Sequence, residues 1–161
     1  MPKQQRIERN KALNLLHHAT QLELMEQASG ARQSWHPGSD VTFVMDTNPN
    51  YTNVCTTQCL FCSFYRQPGH SESYTLSPEQ VAQKARLAWQ AGATTLLLQG
   101  GHHPELSLPY FIQLIQAVQS AVPDMHLHLF SPSEIHHIAL TSNTTVESVL
   151  RTFYDLGIRT M

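Results

Sequence analysis

The three cysteines of this chain lie in one short run, Cys55-Thr-Thr-Gln-Cys59-Leu-Phe-Cys62. Thiolates spaced C-x3-C-x2-C on a single loop suit three irons of a four-iron, four-sulfur (4Fe-4S) cube and leave the fourth iron without a protein ligand. Clusters that only transfer electrons usually take four cysteines. An open metal position marks a site where chemistry occurs, as it does for catalytic zinc. The missing fourth thiolate is therefore the informative feature. Two other chemistries stay open on the residues alone. Three thiolates with His70 or another histidine make a Cys3His structural zinc site, although zinc sites usually draw their ligand pairs from two separated loops. A plain electron-transfer cluster is the other.

Such a loop needs a scaffold, and the flanking sequence supplies one. Residues 1–40 read as an N-terminal helical layer. Thr20-Gln-Leu-Glu23 has the capping-box pattern, Leu22, Met25 and Ala28 form an apolar face, and Trp35-His-Pro37-Gly38 closes the layer. Residues 41–161 read as a second domain. Val41 to Met45 predicts a short strand, Asp46 to Asn50 a turn, and Asn50 to Val54 a second strand running into Cys55. Ser77-Pro78-Glu79-Gln80 opens a helix with Val81, Ala85, Ala88 and Trp89 on its buried stripe. Thr94 to Gln99 predicts a strand, and Tyr110, Phe111, Leu114, Ile115 and Val118 recur at helical spacing. His126 to Phe130 is the next strand. A capping box at Thr144-Thr-Val-Glu147 then starts a helix carrying Val146, Val149, Leu150 and Phe153, and Ile158 begins one more strand.

Strands alternating with helices mark parallel βα units, hence an α/β fold bent toward a barrel or a doubly wound sheet. About three units are present, so the series reads as incomplete; a small complete three-layer α/β domain is the alternative. Strand alternation puts Leu96 with Leu98, and Leu127 with Leu129, on the faces that meet helices. Gln99, His126, His128 and Phe130 then face inward. In such folds the ligand site lies at the carboxyl ends of the strands, where Cys55, Gln99-Gly100-Gly101 and Phe130-Ser131 all fall. Gly100 and Gly101 allow close backbone approach, with amides open to a carboxylate or phosphate. His128 is a candidate for touching substrate. Glu134 is either a site residue or a first-turn acid favoured by the helix dipole. His136 and His137 sit in a helical stretch and read as surface or boundary residues.

Composition narrows the partners. The formal charge is −2, with 10 Lys and Arg against 12 Asp and Glu, so no basic patch points to nucleic acid or an anionic membrane. No stretch approaches transmembrane length and no signal-type apolar run follows the amino terminus. Three clustered cysteines without distant partners do not form a disulfide framework, and a reducing cytoplasm suits them.

With Phe61 before the last cysteine, the motif resembles that of the radical S-adenosylmethionine (SAM) superfamily. Asn50-Tyr-Thr-Asn-Val-Cys55, Cys62-Ser-Phe-Tyr-Arg66, Gln99-Gly-Gly-His-His-Pro104 and Phe130-Ser-Pro-Ser-Glu-Ile135 are similar to the menaquinone (futalosine pathway) branch. Within it they resemble the dehypoxanthine futalosine cyclases. Phe64-Tyr-Arg66 favours these over aminofutalosine synthase and the deazaflavin F0 synthase subunit, although Phe130-Ser-Pro is shared with the latter. The resemblance runs from about Trp35 to Met161 and looks like the first half of a longer chain forming a partial TIM-type barrel. It implies that Cys55, Cys59 and Cys62 hold a 4Fe-4S cluster whose open iron chelates SAM. It implies further that Phe61 packs by the adenine and Gln99, Gly100 and Gly101 by the methionyl amino end. The implied reaction uses an electron from flavodoxin or ferredoxin to make a 5′-deoxyadenosyl radical, which cyclises dehypoxanthine futalosine. Two departures stand out. His102 replaces the usual aliphatic residue, and the glycine-rich segment expected after the next strand is absent. A barrel this incomplete is expected to turn over poorly alone.

Overall fold

Serine followed within two residues by proline opens three of the helices, because proline has no amide to leave unpaired and its fixed φ suits the first turn. The computed structural model describes residues 6–161. The chain forms two compact units, one ending at Thr42 and the other spanning Phe43–Met161. No helix among the described residues is long and apolar enough to cross a membrane.

The first unit holds α1 (Arg9–His18) and α2 (Gln21–Trp35). Thr20 and Glu23 form the expected capping box, but neither helix buries a residue. Leu22 and Met25, expected to carry an apolar face, are exposed.

The second unit runs β1 (Asp46–Thr47), α3 (Pro78–Gln90), β2 (Thr95–Leu98), α4 (Leu108–Ala121), β3 (His126–Leu129), α5 (Pro132–Thr141) and α6 (Val146–Asp155). The sheet order is β1-β2-β3 and every pairing is parallel, with Thr95 opposite His126 and Leu98 opposite Leu129. Each parallel step is bridged by a helix, as parallel strands require. A bridge between His128 and Thr160 extends the sheet where a further strand was expected at Ile158.

Leu96, Leu98, Leu127 and Leu129 face the helices and are buried with Val81, Ala85, Phe111, Leu114, Ile115 and Val118. Full burial of each such leucine or isoleucine contributes about 2 kcal/mol. The opposite face, with Thr95, Leu97 and His128, is only partly covered. Phe130 leaves the expected alternation. Its φ of 63° is uncommon outside glycine and turns the ring into the core, beside Tyr51, Phe111 and Phe153.

The first strand lies later than its β-type run suggested. Val41, Phe43 and Val44 are exposed and form no strand, whereas Asp46 and Thr47, expected in a turn, pair with β2. Pairing decides this: the Met45 carbonyl accepts the amides of Thr94 and Thr95, which starts the ladder just after it. Residues 50–54 make isolated bridges at Thr52 and Val54 rather than a strand. The last helix is capped by Thr145, whose side chain accepts the Ser148 amide, one residue beyond the expected Thr144.

Candidate functional site

The cysteine loop is closed at its base by backbone. Cys55 donates its amide to the Arg66 carbonyl at 3.0 Å, and Arg66 donates to the Asn53 carbonyl at 2.7 Å. The Arg66 guanidinium pairs with Glu72 at 2.7 Å and donates to the carbonyls of Ser63 and Tyr65, gathering the returning strand of the loop. Asn53, buried, binds the Glu72 carbonyl and the Tyr74 amide through its own side chain. Between these fixed ends the loop turns through Gln58, at φ 52°, and a bond from the Cys62 amide to the Cys59 carbonyl. All three thiols are free and partly exposed. Leu60 and Phe61 at the tip stand in solvent, Phe61 at 92% exposure.

A second segment, following β2, holds the start of this loop in place. The Gly101 amide donates to the Thr52 carbonyl at 3.0 Å, and the Thr56 amide donates to the His102 carbonyl at 3.2 Å. A Cβ on Gly101 would stand 2.8 Å from the Val54 carbonyl carbon and 2.9 Å from Cys55 Cβ, so only glycine lets these two backbones meet. The Gly100 amide donates to Glu134 Oε1 at 2.9 Å. Both glycine amides are thus engaged by the protein itself, which corrects the expectation that they stand open to a carboxylate or phosphate. The Gln99 carbonyl accepts from Asn50 Nδ2 at 3.1 Å. The ends of β1, β2 and β3 therefore converge on residues 50–56, 99–102 and 130–134.

The family model of the radical SAM superfamily matches residues 49–161, which contain this whole arrangement. The chain belongs to the radical SAM superfamily. It is 39% identical over 147 residues to a cyclic dehypoxanthine futalosine synthase of Halalkalibacterium halodurans, covering 91% of this chain and 40% of that relative. It is 41% identical over 124 residues to an FO synthase of Mycobacterium leprae, covering 77% of this chain and 14% of that relative. The chain thus spans less than half the length of either relative. Among solved structures, methylornithine synthase matches with a TM-score of 0.65 at 14% identity, covering 98% of this chain and 55% of that one. At that identity the likeness is one of fold: the parallel βα units are those of a partial radical SAM barrel.

The donor set fits the cluster that the radical SAM family implies. Three free thiols sit on one clamped loop, and the chain has no fourth cysteine to close the set. His70, the fourth ligand of the zinc alternative, lines a depression with Cys62, and its Nδ1 accepts the Glu72 amide at 3.1 Å. Glu134 is 4% exposed and takes part in the capping box of α5, so the first-turn reading holds, but its second oxygen reaches other elements. His128 lies on the sheet face turned away from the helices, half-buried.

Sequence reasoning missed His137. It stacks on His102 with ring centroids 4.7 Å apart and planes 11° from parallel. Its Nε2 lies 2.8 Å from the His103 carbonyl, and His102 Nδ1 lies 2.8 Å from Thr57 Oγ1, inside the cysteine loop. A signal was available: Glu134, His137, Ile138 and Thr141 fall at i, i+3, i+4 and i+7, one face of α5. Burial first, then the neighbouring His137 and His136, lowers the His102 pKa below its ordinary 6.5. The lowered pKa favours the neutral His102 ring. Below pH 6.5 the unfolded chain takes the proton before the folded one does, so the stack's contribution is complete above that pH and is lost as pH falls below it. We expect the melting-temperature difference between wild type and His102→Leu to move against the wild type from pH 7.5 to pH ~5.5. A difference independent of pH refutes the assignment.

Proposed function

We propose that this chain forms the cluster- and cofactor-binding part of a radical SAM enzyme acting on dehypoxanthine futalosine. The observation that carries this reading is the seating of Cys55. Its loop is pinned by Thr52, Thr56 and Thr57 to Gly101 and His102 at the carboxyl end of the sheet, with all three thiols free. Similarity to the cyclic dehypoxanthine futalosine synthase supports the choice of substrate. Bound there, a 4Fe-4S cluster supplies the one electron that splits a carbon–sulfur bond of SAM and yields a 5′-deoxyadenosyl radical.

The chain's own residues hold and orient. Cys55, Cys59 and Cys62 bind as thiolates. The methionyl ammonium of SAM is a donor and needs acceptors, a role for the Gly100 carbonyl and the Gln99 side-chain oxygen. Phe61 offers an exposed ring to the adenine, and Thr95, Leu97 and His128 on the helix-free face of the sheet border the substrate sugar. A low-potential flavodoxin or ferredoxin delivers the electron, in a reducing cytoplasm.

The test is anaerobic reconstitution of residues 1–161. We expect about four irons and four sulfides per chain, and a reduced-state paramagnetic spectrum that changes when SAM is added. Stoichiometric zinc without charge-transfer absorbance, or a spectrum indifferent to SAM, sinks the reading. Similarity to an FO synthase favours one second reading, in which the same cluster site serves FO synthesis. SAM cleavage accelerated by FO-synthase substrates but not by dehypoxanthine futalosine would select it.

A further inference from the structure

Three helices among the described residues begin with a capping box, and they serve as internal controls for one another. At Thr20/Glu23 and Ser77/Gln80 the box is exposed and does nothing beyond closing its own first turn. At Ser131/Glu134 it is buried, with Glu134 only 4% exposed. Burying a carboxylate is costly unless every acceptor site is used, and an exposed glutamine caps α3 equally well. Closing a helix turn therefore does not account for Glu134.

Its donors do. Glu134 Oε2 accepts from the Ser131 amide at 2.8 Å and the Ser131 hydroxyl at 2.7 Å, which completes the cap. Oε1 accepts from the Tyr51 hydroxyl at 2.9 Å and the Gly100 amide at 2.9 Å. One carboxylate thus ties together the segments that follow all three strands. The salt bridges among the described residues are Arg66–Glu72 and Arg151–Glu147, so Glu134 is held by hydrogen bonds alone.

Tyr51 makes this junction a ruler. Its ring is 1% exposed and lies edge-on to Phe111 at 5.4 Å and Phe130 at 6.1 Å. A Cβ on Gly100 would meet that ring at 2.6 to 2.8 Å, so Gly100 rests directly on it. The next residue, Gly101, rests on Val54 and Cys55. Phe130, at φ 63°, turns the chain after β3 so that Ser131 and Glu134 aim at Gly100; such backbone strain is typical of functional regions.

We infer that Glu134, with Tyr51, is a positioning residue whose buried junction sets the Gly100–Gly101 backbone against Cys55 and thereby sets the affinity for SAM. This rests on the reading above, in which Gln99–Gly101 meets the cofactor. Neither side chain touches the reacting atoms; both act through Gly100.

The test compares Tyr51→Phe, which removes one hydroxyl, and Glu134→Gln, which leaves one acceptor oxygen where there were two. We expect wild-type iron and sulfide content in Tyr51→Phe, faster hydrogen exchange at the Gly100 amide, and SAM affinity at the reconstituted cluster weakened about tenfold. Glu134→Gln should weaken it further; if that variant does not fold, Tyr51→Phe carries the test. A purely structural junction would lower the melting temperature and leave the SAM affinity of the folded protein unchanged, which overturns the inference. Wild type that does not bind SAM sinks the functional reading instead. The junction is then judged on Gly100 exchange in the apo-protein, where a wild-type rate in Tyr51→Phe overturns it.

Discussion

Replacing any one of Cys55, Cys59 or Cys62 with serine is expected to abolish retention of the cluster and leave the fold of the apo-protein intact. The two effects separate because the thiols and the core occupy different places. All three cysteines are free and only partly buried on a loop, whereas the core is built from Tyr51, Leu96, Leu98, Phe111, Leu114 and their neighbours. A surface-loop substitution of this size costs within about 0.5 kcal/mol, so the melting temperature of the apo-protein should not move. With two thiolates left, the loop has lost one of the three thiol ligands it supplies, and the chain has no other cysteine to replace it. Iron remaining after anaerobic desalting should fall from about four per chain to background, and SAM should no longer alter the spectrum. Near-wild-type iron in a Cys59→Ser protein would mean that the loop is not the cluster site.

The βα series was legible in the sequence because burial on one side of the sheet enforces alternation. Leu96 and Leu98, and Leu127 and Leu129, could be placed against helices from period two alone, and the structure buries all four. Helix starts were legible where local chemistry dominates, as at Thr20 and Ser77. The first strand was not legible. Val41 to Met45 has the composition of a strand, but strand pairing is a tertiary event, and the ladder begins only at Asp46, beside Thr95. Phe130 defeated the alternation argument because a single left-handed residue reverses the face, and nothing in a phenylalanine announces it.

The site was legible as a list of residues and illegible as a set of contacts. The cysteine spacing is a local pattern and could be read directly. The ties from Glu134 to Tyr51 and from His102 to His137 span 83 and 35 residues, and no local pattern encodes such separations. The glycines show the difference most clearly. Their freedom for close approach could be read from residue type, but the strand end at Tyr51, Val54 and Cys55 that they pack against could not.

That close approach sets up the second large effect. Gly101→Ala should be among the most damaging single-methyl additions in the second unit, whereas Gly30→Ala, with nothing within 4 Å of its new Cβ, should raise stability by about 0.5–1 kcal/mol as a glycine-to-alanine change within a helix. At Gly101 the new methyl would meet Val54 carbonyl carbon at 2.8 Å and Cys55 Cβ at 2.9 Å. These are backbone and near-backbone atoms, and they cannot swing aside as the tip of a long side chain would. The segments must part instead. Parting loosens the Gly101 amide from the Thr52 carbonyl and the Thr56 amide from the His102 carbonyl, which together seat the first ligand of the cluster loop. Overpacking of this kind costs about 1–3 kcal/mol, and each stretched hydrogen bond adds about 1 kcal/mol. Thermal melts should therefore show a clear drop for Gly101→Ala, and the fraction that stays folded at low temperature should load less iron than wild type. The second measurement decides the matter: if the destabilised protein still takes up a full complement of iron, the contact between Gly101 and Cys55 holds the fold together but does not place the ligand.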